Sequence, residues 1–320
     1  MALKTKLTEL LKIDHPVLCA PMAGVTGGKL AAAVSEAGGL GLLGGGYGET
    51  DWVMRELREA GNSRIGAGFI TWALDKNPAL FDTVLEHSPA AVMFSFGGID
   101  PYAAKVKEAG AVLICQVQSV AQARRVAEQG ADIVIAQGTE AGGHGAARAT
   151  FPLVPAVRDA LPTDVVVVAA GGVGDGRGLA AALMLGADGV LVGTRFYATR
   201  ESLAPEAGKQ RLADGNGDAT YRGSVFDKAR GIDWPEPYDI RTLRNPFIDR
   251  WAAEGLQAMD AELPEIQADY TRAREAGDMD KFATIAGEAA DLVNDIPPAG
   301  NVVTRMVAEA EAALARFSTG

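Results

Sequence analysis

The sequence predicts an α/β fold, a (β/α)8 TIM barrel with a C-terminal helical extension, from the spacing of its apolar runs. Eight short runs rich in Val, Ile, Leu and Ala recur through about the first 200 residues, separated mostly by helix-length segments. Runs without polar alternation are typical of parallel strands covered by helices, and eight βα units of this length match a (β/α)8 barrel. The predicted strands are Val17–Ala20, Leu40–Leu43, Ile65–Ile70, Ala91–Phe96, Ala111–Val117, Asp132–Ala136, Val165–Ala170 and Gly189–Val192. An open doubly wound sheet is the alternative topology.

The segments between these runs carry helix signals. Several end in a glycine directly before the next strand, such as Gly110, Gly130 and Gly186, and glycine suits the left-handed residue that closes a helix. The predicted helices are Gly28–Ala37, Asp51–Ala60, Pro78–His87, Pro101–Ala109, Val120–Gln129, Pro155–Leu161 and Gly176–Leu185.

Composition limits the class of partner. The chain has 320 residues, a net charge of −11 and 48% hydrophobic residues. Nucleic acid and anionic membranes both require a basic face, so the expected partner is a small molecule. No apolar run reaches the roughly 18 residues of a membrane span, and no signal peptide is recognisable. Cys19 and Cys115 lie in apolar runs without CxxC spacing, which predicts buried thiols and a cytoplasmic location.

The turn at residues 136–145 is the strongest candidate for chemistry. It follows a predicted strand, holds four glycines within eight residues and contains His144, one of three histidines. Glycines let the backbone approach a flat ligand, and an imidazole exchanges protons near neutral pH. A histidine that only ties down its own turn is the alternative. His15 and His87 lie close to prolines in predicted turns, and we assign them no chemistry.

Glycines also follow the seventh and eighth predicted strands. Bare amides at Gly171, Gly172, Gly193 and Thr194 are suited to cradle a phosphate, although glycines also make ordinary tight βα turns.

Other functional motifs are absent from the sequence or lie in the wrong structural context. The G-x-G-x-x-G match at 39–44 lies on a strand rather than after one, and the sequence holds no P-loop, no G-x-S-x-G elbow and no metal-binding pattern of His or Cys. No metal is expected.

Residues at the predicted strand ends resemble the nitronate monooxygenase family, formerly called 2-nitropropane dioxygenases. They are Ala20-Pro21-Met22-Ala23-Gly24, the turn at 137–145, and 169–172 with 193–196. The resemblance extends to 241–245 and 296–300 and so spans nearly the whole chain. Members are FMN-dependent TIM barrels. FMN-dependent enoyl-ACP reductases and NADH:quinone reductases resemble the same pattern, so it is specific to the superfamily rather than to one reaction.

The resemblance implies a role for each matching position. Backbone around Ala20 and Met22 would lie beside the flavin ring, Gln116 would lie near its polar edge, and His144 would face the substrate. The flavin pocket would also be lined by Gln137, Gly138, Gly142 and Gly143. The FMN phosphate would be held by Gly171, Gly172, Gly193 and Thr194. Two departures bear on the substrate: Gly68-Phe69 replaces an asparagine common on strand three, and 287–291 replaces a Gly-Gln-Ser or Gly-Gln-Gly motif.

The implied activity is oxidation of alkyl nitronates or nitroalkanes by O2 to carbonyl compounds and nitrite, with His144 as catalytic base or donor. The alternatives are an FMN-dependent NAD(P)H reductase acting on a quinone or enoyl thioester, and a non-catalytic barrel that binds a phosphorylated ligand. The sequence is compatible with an oligomer as well as with a monomer.

The chain divides by composition near residue 200. We predict a barrel over 1–200 and, over 201–320, a charged helical extension that packs on it and caps its mouth. Its predicted helices are Pro246–Ala258, Leu263–Ala276 and Val302–Phe317. Trp72 is expected either to wall the substrate pocket or to cover the barrel rim. Arg195 and Arg200 could neutralise a phosphate, but charges on helix surfaces are usually solvated, so we expect solvated side chains and leave Arg195 out of the site.

Overall fold

The barrel is closed and parallel. A computed structural model describes residues 3–316. Its eight barrel strands follow chain order, and β1 pairs with the last of them, with Val17 opposite Val190. This closure confirms the TIM barrel and excludes the open sheet. The barrel strands are β1 (Val17–Cys19), β2 (Leu40–Gly44), β3 (Gly66–Ile70), β4 (Ala91–Ser95), β5 (Val112–Val117), β6 (Ile133–Gln137), β8 (Val166–Ala170) and β9 (Gly189–Val192).

Helices cover the outside of the barrel and build the extension. All seven helices predicted between strands are present, as are the three predicted in the extension, although Phe317 lies outside the described residues. The helices are α1 (Lys6–Leu11), α2 (Gly28–Glu36), α3 (Thr50–Glu59), α4 (Thr71–Leu74), α5 (Ala79–Glu86), α6 (Ala103–Glu108), α7 (Val120–Glu128), α8 (Thr150–Ala160), α9 (Gly176–Met184), α10 (Thr194–Tyr197), α11 (Glu206–Ala213), α12 (Val225–Arg230), α13 (Pro246–Glu254), α14 (Leu263–Ala276) and α15 (Ala299–Ala315).

The predicted start of α8 was wrong. The helix begins at Thr150, and Pro155 lies inside it. The backbone N–H of Thr150 donates to both carboxylate oxygens of Glu140, at 2.9 and 3.0 Å. A carboxylate at a helix N-terminus satisfies a free N–H and complements the helix dipole, so Glu140 allows the helix to begin earlier than its proline indicates.

Helix α1 closes the N-terminal end of the barrel. Leu7 and Leu11 are fully buried and join Leu18, Leu40 and other strand residues in the barrel interior. A second, larger apolar layer separates the strands from the surrounding helices. Because the N-terminal end is plugged, a ligand site has room only at the C-terminal ends of the strands, where barrels of this class carry their sites.

The extension is joined to the barrel mouth by a small antiparallel sheet that the sequence analysis did not predict. Its order is β10 (Thr220–Gly223), β11 (Asp239–Leu243) and β7 (Gly143–Gly145), and it places His144 opposite Ile240. β7 belongs to the glycine-rich turn after β6. The extension is therefore paired by its backbone to the segment that holds the candidate catalytic histidine.

Both cysteines are buried free thiols, as predicted. Burial raises the pKa of Cys19 and of Cys115 to about 12. Across residues 3–316, no helix combines the length and apolar character needed to span a bilayer.

Candidate active site

A large cavity opens at the C-terminal ends of the barrel strands. It encloses about 1190 Å³, including its open mouth, enough for a cofactor with a substrate beside it. All but one of the residues predicted to bind the flavin or to act in catalysis line it. These are Ala20, Met22, Gln116, Gln137, Gly142, Gly143, His144, Gly171, Gly172, Gly193 and Thr194. Gly68 and Ala289, at the two departures from the family pattern, also line the cavity.

Gly138 is the exception. It is not among the lining residues, and it packs against the first turn of α8 instead. A Cβ atom on Gly138 would lie 2.0 Å from Thr150 Oγ1 and 2.3 Å from Thr150 N, closer than any side chain tolerates. Its lack of a side chain therefore lets the turn after β6 approach α8.

The turns after β8 and β9 present free backbone donors. Gly171 and Gly172 have φ of +98° and +76°, a conformation that glycine adopts without strain. Within residues 3–316, the amides of Gly171, Gly172, Gly193 and Thr194 have no hydrogen-bond acceptor. Thr194 Oγ1 accepts a bond from Gly287 N at 2.9 Å and keeps its own proton for a ligand. This cradle of N–H and O–H donors fits a phosphate group.

Three glutamine side chains form a network on the other side of the cavity. Gln137 Oε1 accepts bonds from Gln116 Nε2 at 3.2 Å and from Gln118 Nε2 at 2.7 Å, and Gln137 Nε2 donates to His144 O at 3.0 Å. The network links strands β5 and β6 to the backbone of His144. It also leaves the side-chain oxygen of Gln116, Oε1, free to accept a hydrogen bond from a ligand N–H group.

His144 pairs with a carboxylate from the extension. Its Nε2 lies 3.0 and 2.9 Å from the two carboxylate oxygens of Asp227 on α12, and both side chains are buried, with exposures of 7% and 4%. Burial lowers the pKa of His144 below its ordinary value, and Asp227 opposes that shift. One face of the imidazole stacks on Trp234, with ring centroids 3.4 Å apart and planes inclined by 10°.

Two arginines brace the turn that carries His144. Arg222 Nη2 donates to Thr139 O at 2.8 Å and Ala141 O at 2.9 Å. Arg241 Nε donates to Thr139 O at 3.0 Å, and its Nη2 pairs with Glu288 at 2.9 Å. Burial lowers the pKa of Arg222 to about 10, so it remains charged at neutral pH. Both arginines come from the small sheet of the extension.

Aromatic side chains wall the outer part of the cavity. Trp234, Tyr47 and Phe96 line it together with Arg230. Tyr47 Oη accepts bonds from Trp234 Nε1 and Arg230 Nη2, each at 3.2 Å. Trp72 is not a lining residue; it packs edge-on against Trp234 with centroids 5.2 Å apart, which matches the expectation that it covers the rim.

The expectation of a solvated Arg195 was wrong. Its side chain is 1% exposed, and its Nη2 pairs with Asp295 Oδ1 at 2.8 Å. The sequence before and after Arg195 gave no sign of this partner, which lies in the segment leading to α15. Arg200 is exposed, as expected.

Sequence reasoning also missed Asp227, Arg230 and Trp234. Asp227 lies 83 residues from His144, in a segment that the sequence analysis treated only as part of the extension. The one local signal is the three-residue spacing of Asp227 and Arg230, which places both on one face of a helix.

The comparison with known families decides the assignment. The nitronate monooxygenase family model matches residues 4–63 and 79–309. The chain belongs to the nitronate monooxygenase family. It is therefore an oxidoreductase enzyme, and the cavity at the strand ends is its candidate active site.

Individual relatives of this family member are named for different reactions. The nitronate monooxygenase of Neurospora crassa is 35% identical, over 92% of this chain and 89% of its own. A (3aS,4S,5R,7aS)-5-hydroxy-7a-methyl-1-oxo-octahydro-1H-indene-4-carboxyl-CoA dehydrogenase of Rhodococcus jostii is 41% identical, over 70% of this chain and 64% of its own. The structure of a nitroalkane oxidase from Streptomyces ansochromogenes has a TM-score of 0.82 and 29% identity, and the match covers 98% of this chain and 99% of that chain.

Proposed function

We propose that the chain is an FMN-dependent monooxygenase that oxidises alkyl nitronates and nitroalkanes with O2 to carbonyl compounds and nitrite. The observation that carries the proposal is the buried His144–Asp227 pair at a cavity that also holds a phosphate cradle. A base and a cofactor site that share one cavity are what proton abstraction coupled to flavin chemistry requires.

The residues at the cavity fit FMN. Gly171, Gly172, Gly193 and Thr194 would hold its phosphate through their free amides. Gln116 would accept a bond from the polar edge of the ring, beside the backbone of Ala20 and Met22. One phosphate cradle favours FMN over FAD. When bound, FMN supplies the electron transfer between substrate and O2.

The protein's own groups would prepare the substrate. Neutral His144 would remove the α-proton of a nitroalkane and leave the electron pair on the nitro group as the nitronate. A supplied nitronate needs no base, and the protonated imidazole would donate a hydrogen bond to one of its nitro oxygens. Arg230 lines the same cavity and would offset the negative charge of the nitronate. Tyr47, Phe96 and Trp234 would exclude water from the reacting groups.

The test is turnover of a nitronate without a nicotinamide. Purified protein loaded with FMN is mixed with propyl-2-nitronate in air, and oxygen uptake, acetone and nitrite are measured. The proposal expects oxygen uptake with acetone and nitrite as products, and no change on adding NADH or NADPH. Absence of nitrite from the FMN-loaded protein would refute it.

A second candidate is an oxidoreductase of acyl-CoA thioesters. It is favoured by the identities of 41% and 39% to the two indene-carboxyl-CoA dehydrogenases. A base beside a flavin can act on a carbon next to a thioester as well as next to a nitro group. Reduction of the bound flavin by an acyl-CoA, without reduction by a nitronate, would favour this candidate.

The acid limb of the pH profile should reflect His144. A base must be neutral, and burial lowers the pKa of His144 from its ordinary value, which is about 6.5. Above the lowered pKa the ring is neutral and active; below it the ring is protonated and turnover is lost. We therefore expect kcat/KM for a neutral nitroalkane to fall only below about pH 6.5. A midpoint above that pH would contradict the assignment.

Gly193→Val tests the phosphate cradle. A Cβ on Gly193 would make ordinary contacts of 3.6 Å with Ala20 and Met22, so the fold should tolerate it, whereas the added methyl groups would crowd the cradle. We expect FMN affinity to fall about 10²-fold, or roughly 2.7 kcal/mol, as measured by fluorescence titration. Gly98→Val, at an exposed glycine where an added Cβ would lie no closer than 3.4 Å to another atom, should bind FMN normally. Unchanged affinity in Gly193→Val would refute the cradle.

A further inference from the structure

Asp227 constrains where the proton of His144 lies. Both of its oxygens face Nε2, at 2.9 and 3.0 Å. An ionised carboxylate only accepts hydrogen bonds, so Nε2 must carry a proton for this contact to be favourable. At side-chain exposures of 7% and 4%, the loss of this bond would leave buried polar groups unpaired.

The other ring nitrogen is left free. His144 lines the cavity, and its Nδ1 has no hydrogen-bond partner within the described part of the chain. A neutral imidazole carries one proton. With that proton on Nε2, the lone pair of the ring is on Nδ1.

We propose that Asp227 is a positioning residue that holds His144 in the Nε2–H tautomer, so that Nδ1 accepts the substrate's α-proton. The catalytic part rests on the proposed function. In that step the C–H bond of the nitroalkane breaks, its proton moves to Nδ1, and its electron pair stays on the nitro group. The resulting imidazolium is then stabilised by Asp227 through Nε2–H, as in other Asp–His pairs.

The orientation of the ring is fixed from three further sides. Trp234 covers one face, Phe96 meets the ring edge-on with centroids 6.5 Å apart, and Gln137 holds the backbone oxygen of His144 at 3.0 Å. Tilting the imidazole out of its plane would disrupt the Trp234 stack, and a 180° flip of the ring would move Nε2 away from Asp227, so the reactive edge has one direction in the cavity.

The charges around the pair come from two elements. On α12, Arg230 Nη1 lies 3.5 Å from Asp227 Oδ1, and on β10 the charge of Arg222 also acts on His144. Both arginines disfavour protonation of His144, whereas Asp227 favours it. The proton accepted during turnover is therefore held by Asp227 against two cations, and loss of that carboxylate should weaken the base.

The direct test is the tautomer of His144, read from the ¹⁵N shifts of its ring nitrogens by NMR. The chain has three histidines, and the signal that disappears in His144→Ala identifies this one. We expect the wild-type protein above pH 7 to show Nε2 protonated and Nδ1 bare. A wild-type Nδ1–H tautomer would overturn the proposal without any variant of Asp227.

Asp227→Asn is the matched variant. The amide is nearly isosteric, but its NH2 group can donate to a bare Nε2, which the carboxylate cannot do, so Nε2 no longer has to carry the proton and we expect the Nδ1–H tautomer to appear. Asp82→Asn, which removes an exposed carboxylate paired with Lys105, should leave the His144 spectrum unchanged. An unaltered tautomer in Asp227→Asn would overturn the positioning role.

Activity then separates positioning from a purely structural role. We expect Asp227→Asn to lower kcat for a neutral nitroalkane about 10²-fold, within the range of general base catalysis, and to lower kcat for preformed nitronate much less. Equal losses would overturn the proposal. If the wild type converts neither substrate, the proposed function fails, and the NMR result still decides whether Asp227 sets the tautomer.

Discussion

Replacement of His144 by alanine is expected to lower nitroalkane turnover by about 10²–10⁴-fold, the usual contribution of a general base. His144 is the titratable side chain at the cavity with a free ring nitrogen, and its pairing with Asp227 leaves that nitrogen as the proton acceptor. A preformed nitronate has already lost its α-proton, so its turnover should fall less. The measurement is kcat/KM for both substrates with FMN-loaded protein.

A matched substitution shows whether the effect is specific. His87 is exposed at the end of α5, and its Nδ1 lies 3.0 Å from the backbone oxygen of Thr83. His87→Ala should leave both activities unchanged. If His144→Ala lowers the two activities by the same factor, His144 is not the base that forms the nitronate.

Gly138→Ala is expected to destabilise the flavin-free protein by about 3 kcal/mol, at the upper end of ordinary overpacking. The added Cβ would collide with Thr150 N and Oγ1, at 2.3 and 2.0 Å. Thr150 cannot simply withdraw, because Glu140 holds its backbone N–H and its hydroxyl. Urea unfolding measured without FMN gives the free energy of unfolding directly.

The control is Gly98→Ala, where the nearest atom to an added Cβ is 3.4 Å away. It should change the free energy of unfolding by less than about 0.5 kcal/mol, as surface substitutions usually do. A stable Gly138→Ala protein that has lost only FMN affinity would contradict the packing role and would place Gly138 at the cofactor instead.

The barrel was predictable because its signals are local. Each strand is a continuous apolar run, and glycines such as Gly130 and Gly186 mark the ends of helices. The start of α8 was not predictable, since it depends on Glu140 folding back onto Thr150. β7 was missed because a three-residue segment with two glycines becomes a strand only when β11 pairs with it.

The same distinction applies to the site. Residues at the ends of barrel strands were predicted to converge, because parallel strands in a closed barrel all end at one mouth. Asp227, Arg230 and Trp234 reach that mouth from the extension, and nothing in their sequence neighbourhood connects them with His144. The cytoplasmic location, the division at residue 200 and the oligomeric state stay predictions.

The central claim is that the bound flavin takes electrons from a nitronate and not from a nicotinamide. It is tested most directly by anaerobic stopped-flow mixing of the oxidised flavoprotein with NADH, NADPH and propyl-2-nitronate in separate experiments, with flavin absorbance as the readout. We predict loss of the oxidised flavin spectrum with the nitronate and no change with either nicotinamide. Rapid bleaching by NADH or NADPH, with none by the nitronate, would contradict the account and assign the chain to the reductases.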